Sequence, residues 1–229
     1  MLRDNSARSQ QALYVFIGLG LVLAASAAVN VIYCIILGGG NPYSTTGTLF
    51  ASLQGLLSLA VFALTILSAV AFIRWMRRAY YNLTAVGIVV EYDDSWAVSG
   101  WIVPIISLSR PYTIMREIWQ RTQRMGYGTV TSHALLRVWW TLFLLRSASG
   151  IVTSLIANQA NTLEGIRAQL LWLAGAALFD LVALFVTLKV IRRITDFEQQ
   201  MQLQAQVATL GGLPPEPENL SATAEETYG

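Results

Sequence analysis

Two residue types that serve much of membrane enzymology are almost missing from this chain of 229 residues, which has one cysteine, Cys34, and one histidine, His133. A single cysteine excludes an internal disulfide, and Cys34 reads as a small packing residue. A single histidine excludes a His-rich metal centre and a bis-histidine haem within one chain. A Ser-His-Asp triad would rest on His133 alone, and His133 reads as a capping or surface group. There is no CxxC, HExxH, GxSxG or Walker-type phosphate loop, and no internal repeat. GLG at residues 18–20 lies inside an apolar stretch and reads as packing surface. Glu91, Asp93 and Asp94 lack the spacing of a calcium loop and read as a solvated acidic turn. The sequence therefore implies no catalytic residue, no metal and no cofactor.

Charge is scarce as well. Charged residues make up 12% of the chain, against roughly 25% in ordinary soluble proteins. Hydrophobic residues make up 55%, and the mean hydropathy is +0.52. This is the composition of a membrane protein. The arginines cluster beside apolar stretches rather than on a soluble basic domain, which argues against a nucleic-acid partner.

A helix needs roughly 20 apolar residues to cross the hydrocarbon core of a bilayer. Four stretches meet this length, at about residues 12–37, 48–75, 134–157 and 168–190. The first has Arg3 and Arg8 in front of it, as a signal peptide would, but its apolar run is too long for one. Together the four predict an all-α, polytopic membrane helix bundle occupying residues 12–195. Residues 1–11 precede it, a loop at 76–133 interrupts it, and a tail at 196–229 follows. The tail turns acidic and proline-rich from about residue 211, where disorder is expected.

With four spans, every basic residue except Arg146 and Arg167 falls on one side. Basic residues favour the cytoplasm, so both termini and the 76–133 loop are expected there. Tyr14, Trp75, Trp139 and Trp140 near the inner face, with Tyr33 and Trp172 near the outer, suggest an aromatic belt.

TLFLLRSASGIV, residues 141–152, places Arg146 inside a span. An isolated guanidinium there costs several kcal/mol, so it needs a partner. Arg146 stands 16 residues before Thr162, in the outer loop, and Asp180 stands 18 after it. On antiparallel helices a difference of two residues is about 3 Å of depth, so Asp180 is the predicted partner. Ser149, Gly150, Thr153 and Ala157 share the Arg146 face, while Ala176, Ala177, Ala183 and Thr187 share the Asp180 face. Such small residues allow close helix approach in lipid. Asn30 and Gln54, with Ser26, Ser58 and Thr65, form a weaker polar set between the first two spans. The pair reads either as a staple fixing helix register or as an ion or proton site.

The loop between the second and third spans is too long for a plain connection. WAVSGWIVPIISL, residues 96–108, is apolar but too short to span, and Pro104 interrupts it. A re-entrant or interfacial segment is expected, with a fifth crossing disfavoured by the arginines after it. SRPYTIMREIWQRTQRM then reads as an amphipathic helix with Pro111 in its first turn. Ile114 and Ile118 lie near one stripe, and Arg116, Arg121 and Arg124 elsewhere, so it is expected on the inner leaflet near anionic headgroups. Arg74, Arg77, Arg78 and Arg110 are further candidates for headgroup contact.

Trp96, Gly100, Trp101, Pro104, Leu108, Pro111, Tyr112, Glu117 and Trp119 form the pattern W-x3-G-W-x2-P-x3-L-x2-P-Y-x4-E-x-W. With FIRWMRRAYYNL upstream, at residues 72–83, it resembles the bacterial membrane family called domain of unknown function 4328 over residues 48–195. The resemblance implies an integral protein of the bacterial inner (plasma) membrane and supplies no reaction or ligand.

Three functions follow in order of expectation. The first is a non-enzymatic anchor and binding module that engages anionic lipids or a partner membrane protein through its loop. The second is a small transporter or channel built on Arg146 and Asp180. Four spans barely enclose a path, so it implies a homo-oligomer. The third is a lipid enzyme using His133 or the acidic turn.

Overall fold

The computed structural model describes residues 2–37, 44–101, 103, 105–157 and 162–210. Pro104, residues 38–43 and 158–161 and the tail from residue 211 lie outside the described residues. All regular structure among them is helical: α1 Ser6–Leu37, α2 Thr45–Ala85, α3 Trp96–Ser99, a 3-10 turn at Ile106–Leu108, α4 Arg110–Tyr127, α5 Ala134–Ala157 and α6 Leu163–Leu210.

Four of these, α1, α2, α5 and α6, are long and apolar enough to cross a membrane. Three of them, α1, α2 and α6, begin with local side-chain caps. Asp4 accepts from the Ser6 N–H at 2.8 Å and the Ser6 hydroxyl at 2.7 Å, which holds its carboxyl below the usual range. Ser44 accepts from the Gly47 N–H at 3.2 Å, and Thr162 from the Gly165 N–H at 3.0 Å. At 1.5 Å per residue, the 41 residues of α2 extend about 60 Å and the 48 of α6 about 70 Å. A hydrocarbon core is about 30 Å thick, so each of these two helices runs well beyond it.

The helices contribute to two compact units. One, the apolar unit, comprises Ala7–Arg74 and Ala134–Arg192. The other, the motif unit, comprises the described parts of Met1–Ser6, Trp75–His133 and Arg193–Gly229.

In the apolar unit, Leu19, Leu23 and Ala27 of α1 pack with Ala177 of α6, flanked by Val61 and Leu64 of α2. Tyr33 stacks on Phe50 at 5.3 Å, and Cys34 and Leu37 pack against Leu170. Most of the apolar surface nevertheless faces outward. Only 11% of the most apolar window of α2 is buried. Apolar exposure on this scale is tolerated by lipid and not by water. The chain is a membrane protein.

In the motif unit, α4 is held at both ends. Pro111 occupies its first turn, and Gly128, at φ 69°, closes it with an N–H donated to the Arg124 carbonyl at 2.9 Å. Its apolar stripe is not available to a leaflet, contrary to the expectation from the sequence. Ile114, Met115 and Ile118 are fully buried, and Trp119 sets its ring edge on Phe197 of α6 at 5.0 Å. A Cβ on Gly126 would lie 3.1 Å from the Met201 backbone nitrogen, so α4 and α6 approach almost backbone to backbone. Amphipathicity here serves packing on protein.

The aromatic belt also needs correction. Trp75, Trp139, Trp140 and Tyr33 are buried, and Trp139 and Trp140 lie tilted against one another and each stack on Phe143. Of the inner set only Tyr14 is largely exposed.

Candidate functional site

The motif residues converge within the motif unit. Arg110 opens α4 and lies between two rings, 4.0 Å above Tyr92 and 4.8 Å above Trp96. Gly100 makes room for it: a Cβ there would come within 3.2 Å of Arg110 Cγ and 2.7 Å of the Trp96 carbonyl oxygen. The glycine, the two tryptophan-side contacts and the arginine are therefore one packed arrangement. Trp101 and Tyr112 are half-buried and Pro111 is buried.

Glu117 is the hub of this unit. Its Oε2 accepts from the Tyr80 hydroxyl of α2 at 2.9 Å, and its Oε1 accepts from the Glu91 N–H at 3.0 Å. Arg121 Nε stands 3.9 Å from the same Oε1. The Tyr80 oxygen in turn accepts from the Tyr92 N–H at 3.0 Å. Burial pushes the Tyr80 hydroxyl well above its usual range, and the Glu117 carboxyl pushes the same way, so it remains a donor. The Tyr92 hydroxyl donates to Glu91, which raises it also. The adjacent Trp119 donates its indole N–H to the Thr131 carbonyl at 3.4 Å, while Gln123 Oε1 accepts from the Thr131 N–H at 2.9 Å and hydroxyl at 2.7 Å. The glutamate and tryptophan of the pattern thus fix the segments on either side of α4.

Two of the candidate headgroup arginines have side-chain partners within the protein. Arg77 donates to Asp94 at 2.8 Å, and Arg110 is stacked as described. The acidic turn is therefore split, with Asp94 on Arg77 and Glu91 on Tyr92. Arg78 is half-buried. In the apolar unit Arg74 is exposed, and its carbonyl accepts from Arg8 at 3.1 Å.

A second buried polar cluster in the motif unit has no counterpart in the sequence reading. Asn5 donates to Glu198 Oε2 at 2.9 Å and to the Trp75 carbonyl at 3.3 Å. Asn82 donates to Glu198 Oε1 at 3.3 Å and to the Arg3 carbonyl at 2.9 Å, and accepts from the Arg3 N–H at 3.1 Å. Glu198 lies beyond the apolar stretch of α6. Its burial pushes the carboxyl up to about 7, against the lowering pull of the two amides. No local spacing announces this cluster, because Asn5 and Glu198 are 193 residues apart.

In the apolar unit, Arg146 Nε lies 3.1 Å from Asp180 Oδ1. A cavity of about 40 Å³ adjoins the pair, lined also by Leu19, Trp139 and Thr187. One turn or two further along, the Trp172 indole N–H donates to the Thr153 hydroxyl at 2.9 Å. This second polar tie joins α5 and α6, with Thr153 nine residues before Thr162 and Trp172 ten after it. Gln54 reaches Ser26 at 3.5 Å, whereas Asn30, 1% exposed, has no side-chain partner among the described residues.

The family model described as Domain of unknown function (DUF4328) matches residues 43–196. The chain belongs to this family. Within that stretch of the DUF4328 chain lie α2 to α5 and the larger part of α6, hence the whole motif and both members of the Arg146–Asp180 pair. Glu198 falls just past its end, and Asn5 lies well before its start. Neither a curated protein nor a solved structure matches the chain.

Proposed function

We propose that this protein is a non-enzymatic binding module anchored in the bacterial inner membrane, with both termini and residues 76–133 in the cytoplasm. The segment between the second and third spans meets the lipid surface. The observation that carries this reading is an apolar edge on the motif unit: Ile105 is 84% exposed, with Leu108 and Val103 also exposed beside it. On α4, by contrast, Ile114, Met115 and Ile118 are packed. An edge of aliphatic groups next to half-buried tryptophan and basic residues matches the chemistry of a bilayer interface.

The test is a label at Ile105→Cys in nanodiscs, compared with Thr129→Cys, an exposed position past the end of α4. Cys34, buried in the apolar unit, is shielded from the reagent. Collisional quenching by a lipid-soluble agent should dominate at residue 105 and by a water-soluble agent at residue 129. Equal access of the water-soluble agent to both positions defeats the proposal.

A second reading, transport by a homo-oligomer through Arg146 and Asp180, has one observation in its favour, the cavity beside the pair. At about 40 Å³ it has room for one or two waters and not for a path, which ranks this reading second. Proton or ion flux in liposomes that disappears in Asp180→Asn would reverse the ranking.

A further inference from the structure

The two sides of α4 face different surroundings. At about 100° per residue, Ile114, Ile118 and Thr122 project to one side, while Thr113, Arg116, Gln120 and Arg124 project to the other. The first side is buried. The second forms one wall of a cleft of about 470 Å³, and Val89, Val90 and Glu91 form the facing wall. All of this lies within the motif unit. The volume is in the range of small-molecule sites.

The charges decide what chemistry fits. Three guanidinium groups, of Arg116, Arg121 and Arg124, meet two carboxyl groups, of Glu91 and Glu117. Both carboxyl groups are already bonded. Glu117 accepts from Tyr80 and from the Glu91 N–H, with Arg121 alongside, and Glu91 accepts from the Tyr92 hydroxyl. Arg116 has no ion-pair partner among the described residues. The cleft therefore offers donors and positive charge in excess of acceptors. Arg116 and Arg124 are eight residues apart, about 12 Å along the helix, with Gln120 between them. Such a row suits a ligand carrying several anionic oxygens, and forked guanidinium donors match phosphate in particular.

We propose that this cleft binds a phosphate-bearing anion, as a soluble phosphate ester or as the headgroup of an anionic phospholipid. Arg116 is its ionic contact, with Gln120 one turn along the same side of α4, and Glu117 is a positioning residue that fixes the cleft walls. The proposal rests on reading residues 76–133 as a binding module, and it names the ligand class of that module.

The full chain in uncharged detergent is titrated with pyrophosphate, with citrate, and with short-chain phosphatidylglycerol against phosphatidylcholine, reading heat and thermal stabilisation. Either pyrophosphate or phosphatidylglycerol should bind, and R116Q should weaken that binding at least tenfold while the melting temperature without ligand stays near that of the parent. Pyrophosphate binding identifies a soluble phosphate, and phosphatidylglycerol binding without it identifies a headgroup. If R116Q fails to fold, R116K carries the comparison, since it keeps the charge and loses the fork. Binding of neither phosphate probe, equal binding by the variants, or citrate binding as tight as pyrophosphate would overturn the proposal. A lipid-exposed label at residue 105 together with an empty cleft would leave the membrane-contact reading standing and remove only this one.

Discussion

The two units handle buried polarity in opposite ways. The motif unit buries Glu117, Glu198, Asn82 and Gln123, and each is bonded to groups from other parts of the chain. The apolar unit joins its helices through the Arg146–Asp180 ion pair, the Trp172–Thr153 bond and the longer Gln54–Ser26 contact. Where backbone segments are irregular, many polar groups need specific partners, and a network supplies them. Where helices satisfy their own backbones, one or two polar ties suffice to set register. The first arrangement should fail as a network and the second as an isolated pair.

The largest expected effect is at Glu117. Glu117→Ala strands the Tyr80 hydroxyl and the Glu91 N–H, and two bonds to a charged group at 1.5–3 kcal/mol each suggest a loss of about 4 kcal/mol. Adding Tyr80→Phe should recover only a part, since the Glu91 N–H stays unpaired. Thermal unfolding of both variants in mild detergent measures it. Near-complete recovery in the double variant would mean that Glu117 acts through Tyr80 alone.

Arg146 and Asp180 supply the contrast. Arg146→Ala or Asp180→Ala leaves one charge without its partner, at a cost of about 3 kcal/mol. The double variant should be milder than the sum of the two, because nothing else is bonded across the pair among the described residues. Additive single effects, or singles as stable as the parent, would show that the pair is no staple, and flux measurements would then take precedence.

This difference also explains what was legible in the sequence. Two antiparallel helices joined by a short loop share a linear depth scale, so counting from Thr162 sufficed to place Arg146 beside Asp180. The same count would have found Thr153 and Trp172, had the indole been read as a donor rather than as an interface anchor. The motif unit has no such scale. Tyr80 and Glu117 are 37 residues apart, with a turn, a short helix and a 3-10 turn between them, and Asn82 and Glu198 are 116 apart. The pattern containing Glu117 was visible, but its partners were not. For α4 the periodicity was legible, while its direction was not: an apolar stripe has the same spacing whether it meets lipid or protein.

Glu198 gives the motif unit's network a pH dependence. Its carboxyl binds a proton more tightly in the folded protein than in the unfolded chain, since its pKa rises from 4.5 to about 7. Stability from this group is therefore fully present below about pH 4.5 and is lost as pH rises through 7. At 1.36 kcal/mol per pKa unit the loss is up to about 3 kcal/mol. Asp4, whose charge also disfavours an ionised Glu198, acts in the same direction. Glu198→Gln should flatten the melting temperature between pH 5 and 8 while keeping both amide neighbours within reach. A slope equal to that of the parent would place the pH dependence on another group.

The smallest expected effect separates charge from shape at the motif's arginine. Arg110→Lys keeps a cation between Tyr92 and Trp96 but loses the planar group that stacks on both rings. With cation–π contacts of about 0.5–1 kcal/mol each at partly exposed sites, the variant should lose about 1 kcal/mol. Arg110→Gln, which also loses the charge, should lose somewhat more. The glycine offers an independent check, because Gly100→Ala pushes a methyl group toward Arg110 and the Trp96 carbonyl oxygen. If stacking is what the pattern preserves, Gly100→Ala should cost less in the Arg110→Lys background, where a slimmer chain can move aside. Fully additive losses from the two substitutions would mean that the glycine answers to the Trp96 backbone alone, and that the arginine is retained for a contact outside this chain.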